Sequence, residues 1–340
     1  EFAPDLKEMT IEDYAVLVGD FDNVADAGDL DGDGFADVLF TRGPFVSMVK
    51  GGSLSAGISD LEDSVAIAVK LPAQYKIAAG ADVNGTVLDS ERYDDLALGF
   101  PRLLDSGFVA VNFGGATLDG EQDVMIMGEN ESDRFGEYVD MGDVDGDGFA
   151  DIIVSAPFFD SGEVKNTGAV YVMKGKGKMP YLQNARDAWA TIYGEPVEND
   201  LGVLVGVSFG NGLKFLGDLN RDGYGDFTVP LQKSAVYIFL GSPSLEGKSN
   251  ASASASLVIG TSIENSLGGA IPLGDINGDG SADFLIRYFY TYEDVALCIF
   301  LGGSYLEDKI AEGEVDVTSA DIILTGFGKD TGAPIARIRR

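Results

Sequence analysis

Histidine is absent from all 340 residues, and cysteine occurs once, at Cys298. The first absence removes Ser-His-Asp triads, Cys-His dyads and almost every catalytic zinc centre. The second removes any internal disulfide, so whatever cross-links this fold is not sulfur. Basic residues are scarce as well: 23 Lys and Arg stand against 56 Asp and Glu, a formal net charge of −33. Nucleic acid and anionic membrane surfaces both demand basic patches, so neither is an expected partner. No apolar run reaches the length of a transmembrane helix and no secretory leader is visible, so direct membrane insertion is not expected either.

What the chain has in abundance is one acidic loop, repeated. It reads GDLDGDGFADVLF from Gly28, GDVDGDGFADIIV from Gly142, GDLNRDGYGDFTV from Gly217 and GDINGDGSADFLI from Gly274. A stretched version, GADVNGTVLDSERYDDLAL, begins at Gly80. Self-similarity at this spacing points to a solenoid, propeller or array. Isolated Asp-Gly turns between strands do not explain four near-identical copies with three or four Asp each.

Counting from the first Asp, loop one places Asp29, Asp31, Asp33 and Asp37 at positions one, three, five and nine, with Phe35 at seven. That alternation lets carboxylates converge on one hard cation, with the position-seven carbonyl as a further oxygen, while Gly32 and Gly34 allow the sharp turn. Loop three repeats it as Asp143, Asp145, Asp147, Phe149 and Asp151. Loop four gives Asp218, Asn220, Asp222, Tyr224 and Asp226, and loop five Asp275, Asn277, Asp279, Ser281 and Asp283. In loop two Asp82, Asn84, Tyr93 and Asp95 fit, and position five falls to Asp89 or Glu91 across an insertion. Oxygen-only ligation favours Ca2+, with four to five ions expected. An EF-hand needs a Glu at position twelve and flanking helices. Phe40, Val154, Val229 and Ile286 stand there instead, in short β-branched runs that read as strands.

With their flanks, these loops resemble the FG-GAP repeats of integrin alpha subunits over nearly the whole chain. Repeat three carries Phe135-Gly136, its loop, then Ser155-Ala156-Pro157. Phe209-Gly210 with Thr228-Val229-Pro230, Gly99-Phe100-Pro101 and Leu267-Gly268 mark other repeats, and Phe327-Gly328 looks like the opening of a sixth. The resemblance implies an all-β fold, a β-propeller of four-stranded blades with the calcium loops joining first and second strands. Residues 1–340 then form a single domain of five full repeats and a partial sixth. The sequence itself gives four strand-like runs per repeat, in repeat three Glu137–Gly142, Phe149–Ser155, Gly168–Lys174 and about Ala188–Gly194. The run Asp13–Val18 reads as a fourth strand with no partners before it, and Pro334–Ile338 as a first strand with none after it. Two readings stay open: five blades with extra end strands, or the front of a longer ring. The resemblance implies seven blades. The Ser-Ala-rich stretch Ser242–Ser256 reads as a flexible loop between third and fourth strands of repeat four.

Function follows from what is left over. The Asp clusters are committed to metal, Cys298 sits in an apolar strand, and no spare carboxylate pair has a recognisable motif, so the chain is not expected to be an enzyme. Calcium loops of this kind bind at about 10⁻⁴ to 10⁻³ M, which places the protein extracellularly or at the cell surface. The resemblance implies adhesion or a structural binding module, with a protein or glycan ligand on the face opposite the calcium loops. Candidate ligand residues there are Phe158 and Phe159 in one connection and Tyr288, Tyr290 and Tyr292 in another. Aromatics beside polar groups suit hot spots and sugar stacking, whereas alternate rings packed between blades would serve structure alone. A lectin, or a polysaccharide lyase, is the rival reading. Trp189, in an outer strand, reads as inter-blade packing. Asn-X-Ser/Thr triplets occur at Asn84, Asn130 and Asn250, and a metal-ligating Asn84 would not be glycosylated.

Overall fold

The computed structural model describes residues 15–18, 22–43, 45–53, 57–60, 67–70, 75–85, 87–88, 91–115, 122–199, 201–231, 235–263, 267–291 and 294–328. Twenty of its strands form five four-stranded antiparallel blades, packed into a β-propeller. Blade one comprises Asn23–Gly28, Asp37–Arg42, Phe45–Val49 and Ile67–Lys70; blade two Lys76–Ala81, Asp95–Phe100, Phe108–Asn112 and Val124–Met127. Blade three is Val139–Gly142, Asp151–Ala156, Ala169–Met173 and Ala190–Tyr193, each within two residues of its expected bounds. Blade four is Lys214–Gly217, Asp226–Leu231, Ala235–Phe239 and Leu257–Gly260, and blade five Leu267–Gly274, Asp283–Phe289, Asp294–Phe300 and Ile322–Gly328. Phe327-Gly328 therefore ends the fourth strand of blade five rather than opening a sixth repeat. No sixth blade occurs among the described residues, and Pro334–Ile338 lies outside them.

Second strands are apolar on both faces because neighbours cover both. Every residue of Asp151–Ala156 is buried. Alternate side chains serve opposite interfaces: Ile152 and Val154 join the core shared with blade two, while Ile153 joins the core shared with blade four. Four such cores separate the five blades in chain order. Each buried Ile, Val or Phe contributes about 1.5–3 kcal/mol by leaving water. Cys298 lies in the fourth core and burial pushes its thiol up to about 11, so it is an unreactive apolar residue. Trp189 packs against the core between blades three and four, as expected.

One feature has no forerunner in the apolar patterning. The fourth strands of blades two, three and four each acquire a parallel fifth strand, donated by the third-to-fourth connection of the next blade. These are Leu182–Asn184, Gly247–Asn250 and Glu314–Asp316. Gly247–Asn250 lies within the Ser-Ala-rich stretch, which is ordered: a turn of 3-10 helix, this strand, and the short helix Ala251–Ser254. The flexible-loop expectation fails because backbone bonds to blade three fix the segment without apolar side chains. Ala15–Val18 pairs in parallel with Gly57–Asp60 of blade one's third-to-fourth connection, the arrangement the fourth strands of blades two to four adopt. The run is a strand, as its sequence indicated, and its partner follows it in the chain.

Candidate metal centre

All five acidic loops join the first and second strands of a blade, and each is held by the same hydrogen bonds. The position-nine carboxylate is buried and takes the position-two N–H on one oxygen. On the other it takes the N–H of the glycine that follows the third strand. Asp151 accepts from Val144 at 3.0 Å and Gly175 at 3.1 Å, Asp226 from Leu219 at 2.7 Å and Gly241 at 2.8 Å. Asp37, Asp95 and Asp283 repeat the pattern. This aspartate buckles loop, second strand and third-strand exit together, a role that the ligand spacing alone did not reveal. Burial pushes the carboxyls of Asp95, Asp151 and Asp226 up to about 7 and raises that of Asp37.

The remaining positions close the turn. Asp143 accepts from Gly146, Asp147 and Gly148, and Asp275 from Gly278, Asp279 and Gly280. Position three accepts from the position-five N–H, as in Asp31 from Asp33 and Asn220 from Asp222, both at 3.2 Å. Position five accepts from position seven, as in Asp33 from Phe35 at 2.9 Å and Asp147 from Phe149 at 3.1 Å. Carboxylate oxygens of Asp29, Asp31 and Asp37 lie within 4.8 Å of one another, as do those of Asp143, Asp145 and Asp151. Asn84, Asn220 and Asn277 put an amide where a third carboxylate would stand in the other loops. Asp89 lies outside the described residues, and Glu91 is described by its backbone alone, in a short hairpin.

Among the described residues three buried side-chain oxygens have no hydrogen-bond partner, and two of them, Oδ2 of Asp82 and Oδ1 of Asp218, stand at position one of a loop; the third is Oε2 of Glu137 on the opposite face. Oxygen-only donors, converging carboxylates and orphaned position-one oxygens together fit a hard divalent cation. Asp29, Asp31, Asp33 and Asp37 would hold it in loop one, and their counterparts in the other loops.

The loops also bind the blades to one another. The position-one carbonyl accepts from position eight of the next loop: Asp29 from Asp94 at 2.9 Å, Asp82 from Ala150 at 2.8 Å, Asp143 from Gly225 at 2.7 Å and Asp218 from Ala282 at 2.9 Å. Position seven adds a side-chain role beyond the carbonyl assigned to it. A β-carbon added to Gly32 would lie 2.4 Å from the Tyr93 ring; at Gly85 it would lie 2.4 Å from Phe149, and at Gly146 2.7 Å from Tyr224. Each ring therefore rests on the position-four glycine of the preceding loop. The signal was in the sequence: an aromatic at position seven in loops two, three and four, each following a loop with glycine at position four. Loop four breaks the pattern with Arg221 at φ +61°, and loop five answers with Ser281. The guanidinium fills the missing ring's place, donating to Ser281 Oγ at 2.6 Å and pairing with Asp279 at 3.3 Å.

On the opposite face, the aromatic candidates divide. Tyr288 and Tyr290 pack against the core between blades four and five, and Tyr292 lies outside the described residues. Phe159 packs against the core between blades two and three, 5.2 Å from Tyr193, and Phe158 lies 3.8 Å beneath the Arg134 guanidinium. Strand alternation turns the intervening residues Arg287 and Phe289 outward. With Tyr138, Ser208, Asn211 and Pro230 they line a recess of about 760 Å³. A second recess, of about 480 Å³, is lined by Asp22, Tyr75, Lys76, Arg102 and Glu137.

A family model described as FG-GAP repeat matches residues 135–173, which is repeat three from its Phe-Gly pair to the end of its third strand. Integrin alpha-PS2 of Drosophila melanogaster is 31% identical over 236 residues, covering 65% of this chain and 15% of that protein. Integrin alpha-PS5 of the same species is 35% identical over 121 residues, 35% of this chain and 11% of its own length. Integrin alpha-8 of Gallus gallus is 34% identical over 163 residues, 46% of this chain and 13% of its own length. The chain thus spans at most 15% of the length of these relatives. With the blade architecture, these matches show an FG-GAP-repeat β-propeller similar to that of integrin alpha subunits.

Proposed function

We infer that this integrin-like propeller is a calcium-stabilised, extracellular binding module that acts in adhesion and is not an enzyme. The carrying observation is the fivefold recurrence of one acidic loop, with converging carboxylates and orphaned buried oxygens at Asp82 and Asp218. Calcium, when bound, would neutralise clustered carboxylates that otherwise repel one another. The chain's own residues do the rest: position nine buckles the blade, and positions one and seven tie each loop to its neighbour. Similarity to integrin alpha subunits supports the adhesion reading, and the missing histidine supports the non-enzymatic one. None of the helices among the described residues is long and apolar enough to cross a membrane.

The ligand face is proposed to be the one opposite the loops, and its recognition groups to be Arg287, Phe289 and Tyr138 rather than Tyr288 and Tyr290. A protein ligand suits this recess better than a glycan, because the tyrosines that would have stacked on sugar rings are packed against the core. Calorimetric titration of chelator-stripped protein with Ca2+ tests the metal reading: saturable heat for four to five ions is expected, and no heat would overturn it.

A further inference from the structure

Position three is Asp in loops one and three, and Asn in loops two, four and five. The residue immediately after the third strand of the same blade varies with it. Lys50 and Lys174 accompany Asp31 and Asp145, whereas Phe113, Leu240 and Leu301 accompany Asn84, Asn220 and Asn277. Five blades thus show one association without exception, between residues 19 to 29 positions apart in the sequence in the four regular blades.

The contacts explain it. The ammonium of Lys50 is paired with Asp31, and that of Lys174 with Asp145 while also lying 3.8 Å from Asp147. Both position-three carboxylates are nearly inaccessible, with 3% of their side-chain surface exposed, so each needs a partner. Lys174 is further held 5.2 Å above the Trp189 ring. In loops four and five the amide does the corresponding work: Nδ2 of Asn220 donates to Asp222 at 2.9 Å and Nδ2 of Asn277 to Asp279 at 3.1 Å. A loop with four carboxylates therefore carries one ammonium, and a regular loop with three carries none from this position.

We propose that Lys50 and Lys174 are built-in counter-cations that set the divalent-cation affinity of loops one and three. Each holds the position-three carboxylate in the metal-free loop and must be displaced or must share that carboxylate when a cation enters. The propeller then has two chemically distinct classes of metal loop. This rests on the calcium reading above. An ammonium a few ångströms from a divalent cation opposes binding by an amount of order tenfold in affinity, because a partly buried site screens it weakly.

The test is calcium titration by calorimetry, together with melting in chelator, on the full chain. Lys50→Leu/Lys174→Leu should gain about tenfold in affinity at two sites, melt lower than wild type in chelator, and so show a wider calcium-induced shift. Adding Asp31→Asn/Asp145→Asn, which copies loops four and five, should bring chelator melting back towards wild type. If the lysine variants fold poorly, the reciprocal Leu240→Lys serves: it should weaken one site, and Asn220→Asp added to it should partly restore binding. Equal affinities in wild type and variants, or a loss of affinity on removing the lysines, would overturn the inference while leaving the calcium reading intact. Wild-type protein that takes up no calcium would overturn both.

Discussion

The two faces of this propeller are joined by the same strands but are built on opposite rules. On the loop face, five segments repeat one hydrogen-bond scheme almost atom for atom, from the Asp37 buckle in blade one to Asp283 in blade five. On the other face the corresponding connections differ in length and content. Blade one turns directly from Arg42 to Phe45, while blade three runs from Ala156 to Ala169 through Phe158 and Phe159. Repetition marks what every blade needs in order to stand beside its neighbour. Divergence marks where one blade can do what another cannot, and a single partner needs only one such place.

The largest effect should come from the repeated face. Asp151→Ala strands the N–H groups of Val144 and Gly175 in a buried site, and should cost about 2–4 kcal/mol in denaturant unfolding with calcium present. Arg287→Ala serves as the matched control. If the two variants proved equally stable, the division between the faces would fail.

Acidity offers a second probe. In chelator, Asp95, Asp151 and Asp226 have carboxyls pushed up to about 7 by burial, well above the unfolded carboxylate range. The folded state therefore binds protons more readily than the unfolded one, and the associated stability is present at low pH and lost as pH rises through about 7. Melting in chelator should rise as pH falls from 8 to 5. A flat or falling profile would show that these aspartates are not the buried charges described here.

Gly146→Ala should cost about 1–2 kcal/mol, because its φ of +75° disfavours a β-carbon and the Tyr224 ring occupies that space. The sharpening lies in the contrast with Gly148→Ala, which shares the positive φ but has no atom within 4 Å of the added carbon. The first should lose more than the second, and equal losses would reduce position seven to a bystander.

These contrasts also show what a sequence of this kind discloses. The loops, the strand order and the buried cysteine were legible because each has a local pattern: alternating carboxylates, short β-branched runs, an apolar neighbourhood. The donated fifth strands were not. Gly247–Asn250 is held by backbone bonds to Ala190–Tyr193, and backbone bonds leave no mark on side-chain periodicity. In the aromatic run Tyr288 and Tyr290 pack against the core while Phe289 is exposed, the inter-blade packing that the sequence had left open beside a ligand role. Lys50 and Lys174 escaped notice because each meets its aspartate only after a strand and a turn have intervened.

The smallest structural effect belongs to the divergent face. Arg287→Ala and Phe289→Ala should each shift melting by no more than about 1 °C, as exposed substitutions do, while weakening capture of the proposed protein ligand by about tenfold. Unchanged capture by both variants would move the ligand site away from this recess.

Differential scanning calorimetry of the intact chain in millimolar calcium and in excess chelator tests the central claim most directly. At ten times the dissociation constant each bound ion contributes about 1.4 kcal/mol, and four to five loops together should raise the melting temperature by about 10 °C. The same melting temperature in both buffers would contradict the view that these loops are cation-bound staples between blades.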